Sequence, residues 1–431
     1  MYANISATEL SRMIHQKQAK PSEICAYFLA QSEKKNPQLN IFNAVNKESA
    51  MNQALEMDNM NITAETSPVF GLPIALKDNI STIDLPTTCS SKMLKNYQPV
   101  FDAAVTERLR EQNAIIFGKT NMNEFAVDTS DNTMADAVAV AENCVPFSLT
   151  SYAGGGAVKS ASAHGLISYK PSRGAVSRHG LIPLAGSFDQ IGTLCRTVSD
   201  TAMLAKIICN HDTRDSISNP NFTPDFSQLK TFDIKKKRIG ILNERADNRI
   251  NSTAKIYESL GAESVDISIP SLKHIIPAYY AILYAEASSN LSRLDGIRFG
   301  CRSKNYDDID SLYINSRTEG FGLAVKKAIM LGTYILTAGN IDVYYKKACI
   351  LKKQITDEFT KAFELCDIII LPTEDEADVT TASFTGLPAV SIPHAESGNI
   401  QLIGNSFDDE NLLKFAYALE RESNVLKKGA D

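Results

Sequence analysis

A lysine at the end of an apolar run is the first residue whose position favours chemistry. Residues 69–76 read VFGLPIAL and are followed by Lys77, Asp78 and Asn79. A short apolar run punctuated by Gly and Pro predicts a strand that enters a loop. Partial desolvation there lowers the pKa of a lysine, so Lys77 could act as a neutral base, with Asp78 and Asn79 holding it by hydrogen bonds. A solvated lysine at a strand end is the alternative that the pattern leaves open.

Three consecutive glycines form the second candidate feature. Gly154, Gly155 and Gly156 follow the segment TSYA. Backbone N–H groups in such a run can converge on an anion or on the developing oxyanion of an amide under attack. A tight turn explains three glycines equally well, so the run alone does not establish a site.

The third candidate feature is the segment 170–192, KPSRGAVSRHGLIPLAGSFDQIG. Its Gly and polar residues, among them Asp189 and Gln190, alternate with short apolar runs. This pattern predicts a loop-rich wall beside a site. Charged residues on a solvated face are the alternative.

The elements that must position these residues alternate between helix and strand. Ser6 and Glu9 form a capping-box pattern that predicts a helix start near residue 6, and Pro21 opens a second helix. Further predicted helices are 45–59, 104–112, 196–208, 253–260 and 409–421. Predicted strands besides 69–76 are 114–118, 238–242, 264–269, 367–371 and 389–393. This alternation predicts an α/β fold in one large domain, with a mixed, largely buried sheet flanked by helices.

Composition and charge restrict the class of protein. The chain has 431 residues, of which 44% are hydrophobic and 22% are charged, with a formal net charge of −6. These values exclude disordered, collagen-like and coiled-coil chains. A protein that grips nucleic acid through its phosphates is normally basic, so we expect no direct nucleic-acid contact.

The cysteines and the N-terminal segment bear on the compartment. Eight cysteines are scattered without a CxxC motif, and the six histidines do not pair with them at metal-ligand spacing. We therefore expect reduced thiols and no metal site. The N-terminal segment has no apolar signal-peptide core, and no apolar run has the length of a membrane span. These features predict a cytoplasmic protein.

Several longer blocks carry a resemblance to a known family. They are GLPIALKDNI at 71–80, TTCSSK at 87–92, FGKTNMNEFA at 117–126, SRHGLIPLAGSFDQIGTLCRTVSD at 177–200 and AEASSNLSRLDGIRFG at 285–300. Together they resemble the amidase signature family, and within it the group of glutamyl-tRNA(Gln) amidotransferase A subunits. The match covers nearly the whole chain. Under it, 1–60 corresponds to N-terminal helices, 61–210 to the catalytic-signature region, and 211–431 to substrate-pocket and partner-facing segments.

The resemblance implies a Ser–cis-Ser–Lys amidase. In that chemistry a lysine base acts through a bridging serine on a second serine, which attacks the amide and forms an acyl-enzyme. For A subunits the implied substrate is glutamine, and the implied partners are the B and C subunits of the amidotransferase. ATP and magnesium are expected only on the B subunit, so no cofactor is expected in this chain.

The chain departs from the family pattern at its catalytic serines. Lys77 matches the family's base, but alignment back from Lys170 places Asn132 at the bridging position and Gly156 at the nucleophile position. Glycine has no side chain with which to attack. Ser160, four residues on, and Ser151, five residues back, are alternative nucleophiles. Four residues of extended chain span up to about 13 Å, which is too far for a simple replacement.

The resemblance also implies substrate contacts, which we list as expectations. They are Gly154, Gly155, Asp189, Gln190, Arg298 and Glu376, the last of these in the contracted acidic segment 374–378.

Three hypotheses follow from these observations. The first is a hydrolytically inactive paralogue of the A subunits with a scaffold or regulatory role. The second is an active amidase or amidotransferase subunit with a relocated serine. The third is a binding protein that uses the former glutamine pocket for an amide or amino acid without turnover.

Overall fold

The backbone forms one mixed sheet. A computed structural model describes residues 2–127, 134–245, 247–394 and 398–423. Its strands are β1 (Phe42–Val45), β2 (Pro73–Lys77), β3 (Ile115–Thr120), β4 (Phe147–Tyr152), β5 (Ile167–Lys170), β6 (Gln190–Cys195), β7 (Arg238–Leu242), β8 (Glu263–Ile267), β9 (Ile368–Pro372), β10 (Ala389–Pro393) and β11 (Asn399–Gly404). Within the described ranges they form an eleven-stranded sheet in the order β1-β3-β2-β4-β6-β5-β10-β11-β9-β7-β8.

Helices cover this sheet. They are α1 (Ala7–His15), α2 (Pro21–Leu39), α3 (Lys47–Met57), α4 (Ala104–Glu111), α5 (Ala135–Ala141), α6 (Gly156–Ala163), α7 (Val198–Ile208), α8 (Asn248–Ser259), α9 (Ile275–Leu291), α10 (Ile309–Gly320), α11 (Leu323–Leu336), α12 (Lys347–Ala362), α13 (Glu376–Thr385) and α14 (Asp409–Glu422). The α/β prediction with a mixed, largely buried sheet in one large domain is therefore confirmed. No helix in the described part of the chain is long and apolar enough to cross a membrane.

The register of the central strands brings two chain segments together. β2 is parallel to both β3 and β4, and Leu76 lies opposite Leu149 in the β2–β4 pair. The carboxyl ends of parallel neighbours lie at the same edge of a sheet. Lys77 at the end of β2 and Ser151 near the end of β4 therefore lie close together, although 74 residues separate them.

Local capping explains where several helices begin. The N–H of Glu9 donates to the Ser6 hydroxyl at 3.2 Å, which confirms the predicted start of α1. The start predicted at 253 for α8 is wrong by five residues, because Asp247 caps this helix: its carboxylate accepts the N–H of Ile250 at 2.8 Å. An N-terminal cap adds a turn that the apolar pattern does not show.

The sequence pattern does not predict α5, α6 or the helices from α9 to α13, and α9 shows one reason. The hydrophobic residues of α9 are spread around its circumference, and nine of its residues are buried. A helix without a polar face gives no amphipathic period, so the sequence pattern does not define it.

Candidate active site

Lys77 is a buried side chain. Only 2% of the residue is exposed, and its Nζ donates to the carbonyl oxygen of Ser151 at 3.2 Å. Burial lowers the pKa of Lys77, and the carboxylates of Asp136 and Asp189 oppose that shift. The solvated alternative for this lysine is therefore wrong.

The two residues that follow Lys77 do not hold its amine. Asn79 donates from Nδ2 to the Ser151 hydroxyl at 2.9 Å. The Asp78 carboxylate accepts from Nδ2 of Asn43 at 2.8 Å and from the N–H of Thr88 at 3.1 Å. The prediction that Asp78 and Asn79 hydrogen-bond to Lys77 is wrong for the described residues, because the chain turns directly after Lys77 and both side chains meet other partners. They instead fix the two neighbouring segments.

The three glycines connect β4 to α6. A Cβ atom at Gly154 would lie 2.3 Å from the hydroxyl oxygen of Tyr279, and one at Gly155 would lie 2.2 Å from Cγ2 of Val379. Both contacts are too short for a side chain, so close packing explains these two glycines. Gly155 has an ordinary φ of −88°. The run ends at the N-terminus of α6, where the first backbone N–H groups have no partner within the helix.

A cavity of about 380 Å³ opens beside these elements. Its lining includes the base position, the nucleophile position and one alternative nucleophile: Lys77, Gly156 and Ser151. Gly154, Met134 and His164 also line it. The fold thus gathers residues from β2, β4 and α6 around one cavity large enough for a small amide or amino acid.

Gly156 is the first residue of α6, and this changes the geometry expected for Ser160. The extended spacing assumed from the sequence is wrong for this segment, because four helical residues rise only about 6 Å. Ser160 lies one turn further along the helix, and its hydroxyl accepts the N–H of Met134 at 3.0 Å. Asn132, at the bridging position, lies outside the described residues.

Asp189 and Gln190 support a neighbouring segment. The buried Asp189 carboxylate accepts the N–H groups of Leu184 and Ala185, each at 3.0 Å, and burial raises the pKa of Asp189 to about 7. Gln190 begins β6, and its Nε2 donates to the Val176 carbonyl at 3.3 Å. Neither residue lines the cavity beside Lys77. They lie at the start of β6, the strand that pairs with β4 next to the cavity.

Glu376 and Arg298 lie in different places. Glu376 begins α13, whose Val379 packs on Gly155, and it accepts a hydrogen bond from the Tyr280 hydroxyl. Arg298 is exposed and lines a separate groove. Glu376 therefore lies on the helix that packs against the glycine run. Arg298 does not lie near this run or the cavity beside Lys77.

Tyr279 is a residue of the site that sequence reasoning missed. It is buried, and its hydroxyl, which lies beside Gly154, has no hydrogen-bond partner among the described residues. Burial raises its pKa well above the ordinary value. Buried tyrosine hydroxyls normally find a partner, so this one is an exception in the described part of the chain; it packs against Gly154 and does not itself line the cavity. The only sequence signal is the Tyr279–Tyr280 pair just before the 285–300 block.

The acidic segment 374–378 is neutralised by two arginines. Arg249 pairs with Glu374, and Arg245 pairs with Asp375 at 3.0 Å and Asp378 at 2.9 Å. Burial raises the pKa of Asp378 to about 7. These pairs attach the start of α13 to α8 and the turn before it, which gives the acidic residues a structural role.

No metal centre is found in the described ranges: no group of three or more His, Cys, Asp or Glu side chains is arranged to hold an ion. All eight cysteines are free thiols.

A buried lysine and a glycine-rich strand-to-helix turn line one cavity on the eleven-stranded mixed sheet of the described residues. The amidase family model matches residues 23–135 and 136–387, and the chain belongs to the amidase family. Among curated relatives, it is similar to the glutamyl-tRNA(Gln) amidotransferase A subunit of Caldanaerobacter subterraneus subsp. tengcongensis, with 38% identity over 97% of this chain and 96% of the relative. It is also 36% identical to the corresponding protein of Staphylococcus haemolyticus, over 97% of each chain.

Solved structures agree with this assignment of fold. The glutamyl-tRNA(Gln) amidotransferase A subunit of Thermotoga maritima superposes with a TM-score of 0.77 at 27% identity, over 98% of this chain and 96% of that one. The peptide amidase of Stenotrophomonas maltophilia superposes with a TM-score of 0.83 at 22% identity, over 98% of both chains, and this shows a shared fold.

Proposed function

We infer that this chain is an amidase relative of the A-subunit type that binds a small amide or amino acid, or serves as a scaffold, without hydrolysing an amide. The observation that carries the proposal is Gly156. It occupies the family's nucleophile position and lines the same cavity as Lys77. Covalent amidase chemistry requires a side-chain nucleophile, and no backbone rearrangement supplies one to glycine.

The remaining features of the cavity favour binding over turnover. Lys77 Nζ donates to a backbone carbonyl, whereas the amidase mechanism needs it to contact a serine hydroxyl. The helix N-terminus at Gly156 supplies N–H groups for a ligand, and the unpartnered Tyr279 hydroxyl lies directly beside Gly154 of the cavity lining. A site of this kind would hold an amide or a carboxylate by hydrogen bonds alone.

One observation supports a second candidate function, an active amidase with a relocated nucleophile. Ser151 lines the cavity with Lys77, and its hydroxyl accepts a hydrogen bond from Asn79. No hydrogen bond joins this hydroxyl to Lys77 in the described part of the chain. Ser160 is less suited to the role, because its hydroxyl is bonded to the backbone of Met134.

Ammonia release distinguishes the two functions. We expect the purified chain, supplied with glutamine or asparagine, to release no more ammonia than its Lys77→Ala variant. The reason is that removal of a catalytic nucleophile lowers kcat by about six orders of magnitude in serine hydrolases. The measurement is a coupled ammonia assay, repeated with the B and C subunits where these are encoded.

The opposite outcome has a clear signature. Robust glutaminase activity that disappears in Lys77→Ala would overturn the proposal. If Ser151→Ala abolished that activity as well and Ser160→Ala did not, Ser151 would be the relocated nucleophile. Ligand binding is read separately, from the thermal shift that glutamine produces in the wild-type chain and in Tyr279→Phe.

Assembly with the B and C subunits of an amidotransferase is part of the same proposal. The support is the named relatives and the exposed apolar residues of α10, α11 and α12. They are Tyr313, Ile314, Leu323, Met330, Leu331, Tyr334 and Ile350, each at least 39% exposed. Leu323, Met330 and Tyr334 recur at helical spacing on one face of α11, and an exposed apolar face of this kind marks an interaction site. ATP and magnesium would be bound by the B subunit, any contact with tRNA would be made by the partner, and the assembly would be cytoplasmic.

Co-purification tests the assembly. We expect a tagged B subunit to retain this chain, and we expect Met330→Glu to weaken retention at least about tenfold, because a buried unpaired charge is costly at an interface. Lys353→Glu on α12 is the control, since Lys353 is exposed and pairs only with Asp357. If the wild-type chain were not retained, the assembly proposal would fail while the ligand-binding proposal would stand.

A further inference from the structure

A second and larger groove lies apart from the cavity beside Lys77. Its volume is about 900 Å³, and it runs between the segment 92–97 and the loop 290–302. The two share no lining residue. The floor is apolar and consists of the buried side chains Met93, Leu94, Phe125, Leu291 and Leu294. This volume is typical of sites for small organic molecules.

The charged residues of the groove all have one sign. Five cations line it, and no Asp or Glu does: the five are Lys92, Lys95, Arg293, Arg298 and Arg302. None of the five takes part in an ion pair within the described ranges. This is unusual for a chain whose net charge is −6.

Three of the five cations have no hydrogen-bond acceptor among the described residues. Arg302 donates to the carbonyls of Gly296 and Ile297, and Arg293 donates to Asn290. The ammonium groups of Lys92 and Lys95 and the guanidinium of Arg298 make no such bonds. Their hydrogen-bond donors are therefore available to a ligand; the charge of Arg298 also acts on the nearby Asp295 carboxylate, whereas Lys92 and Lys95 have no such partner among the described residues.

The loop wall of the groove is built by its own hydrogen bonds. The Asp295 carboxylate accepts the N–H groups of Ile297 at 2.8 Å and Arg298 at 3.1 Å, and these bonds lower the pKa of Asp295. Gly296 adopts a φ of +78°, and a Cβ there would lie 2.5 Å from Cβ of Ser316. Such a wall is preformed, so a ligand need not order it on binding.

We propose that this groove binds an amphipathic organic anion, with a large apolar body on the floor and one or two acidic groups beside Lys92, Lys95 and Arg298. Burial of the apolar body supplies most of the affinity, and the cations select for negative charge. The site is independent of the proposed function, because it uses none of the residues around Lys77.

A pair of probes of similar shape tests the charge requirement. The probes are 8-anilino-1-naphthalenesulfonate, which is an anion, and N-phenyl-1-naphthylamine, which is neutral; binding is followed by fluorescence titration. In the double variant Lys95→Gln, Arg298→Gln we expect the Kd of the anion to rise about fivefold. The Kd of the neutral probe should change less than about twofold, since the apolar floor is intact. An equal change for both probes, or none for the anion, would overturn the proposal.

A control variant separates this groove from the other apolar surface. Lys327 is exposed on α11, next to the exposed apolar residues of that helix. We expect Lys327→Gln to leave both Kd values unchanged. If it weakened binding of the anion as much as the double variant, the probe would be bound at α11 and the proposal would fail.

The exposed thiol in the groove locates the bound probe. Cys301 lines the groove and is exposed, whereas Cys349 is partly buried elsewhere. We expect saturating 8-anilino-1-naphthalenesulfonate to slow alkylation of Cys301 by neutral iodoacetamide at least about threefold, and not that of Cys349, because an occupied site excludes the reagent. Unchanged alkylation of Cys301 would contradict the assignment.

Competition with the bound probe distinguishes a small anion from a nucleic acid. A short oligothymidylate and decyl phosphate are each titrated against bound 8-anilino-1-naphthalenesulfonate. If the oligothymidylate displaced the probe at a lower concentration than decyl phosphate did, the ligand class would be a nucleic acid and the proposal would be overturned.

Discussion

Gly192→Ala is expected to lower the free energy of unfolding by about 3 kcal/mol or more. Gly192 lies in β6, which pairs with β4 on one side and β5 on the other. A Cβ there would lie 2.2 Å from the carbonyl oxygen of Tyr169 and 2.6 Å from a ring carbon of Tyr152. The first contact is with backbone in a paired strand. Relief would require the two strands to separate, and their hydrogen bonds would be lost.

Urea unfolding followed by circular dichroism measures this effect. Gly186→Ala is the matched control, because the nearest heavy atom to its added Cβ would be a guanidinium nitrogen of Arg178 at 3.9 Å. We expect that control to change the free energy of unfolding by less than about 0.5 kcal/mol. Similar values for the two variants would mean that Tyr169 and Tyr152 do not approach Gly192 as closely as the structure shows.

Lys170→Met is expected to stabilise the protein at pH 7 by about 2 kcal/mol. Lys170 is buried at the end of β5, and among the described residues its amine donates only to the carbonyl of Pro171, at 2.9 Å. Burial lowers its pKa from 10.5 to about 7; Asp409 opposes that shift, and Arg173 and Lys352 add to it. A shift of this size corresponds to at most about 5 kcal/mol, and the lost hydrogen bond reduces the gain. Methionine keeps much of the volume without the charge.

The pH dependence of the stabilisation by Lys170→Met follows from the direction in which burial shifts the pKa of Lys170. Because the folded pKa of Lys170 lies below the unfolded one, the unfolded state binds more protons between about pH 7 and pH 10.5, and stability rises with pH across that window. The advantage of Lys170→Met should therefore be largest at pH 7 and below. At pH 10 it should vanish or reverse, because the charge penalty on Lys170 has fallen below about 1 kcal/mol while the lost hydrogen bond remains. Paired urea titrations at both pH values give this difference, and Lys327→Met serves as the exposed control. An equal loss of stability at both pH values would show instead that Lys170 is charged and well paired.

The buried lysines illustrate how far local pattern can be taken. The apolar run before Lys77 predicts its strand, and the structure gives β2 there. Its burial depends on β3 and β4 pairing with β2 on both sides. The pattern leaves open whether Lys77 is solvated, because strand order depends on contacts between distant segments. The sequence of one strand does not show which strands will flank it.

The glycine run also shows what the sequence can and cannot establish. A triple glycine is equally consistent with a turn and with an anion site, and the sequence contains no means of choosing. In the structure, Tyr279 from α9 and Val379 from α13 pack directly on Gly154 and Gly155. These contacts join residues more than 120 positions apart, so only the folded chain reveals why both must be glycine.

The sequence by itself determined the α/β class, the family, six of the eleven strands in the described ranges, the capped start of α1 and the absence of a serine at position 156. These follow from local rules: apolar runs, side-chain caps, motif blocks and the identity of one residue. Tertiary structure alone decided that Lys77 is buried, that Gly156 begins a helix, that Tyr279 packs against Gly154 and that Arg298 belongs to a separate groove. The physical reason is that burial, cavity shape and ion pairing are set by strand order and helix packing. Both depend on contacts between residues far apart in the chain.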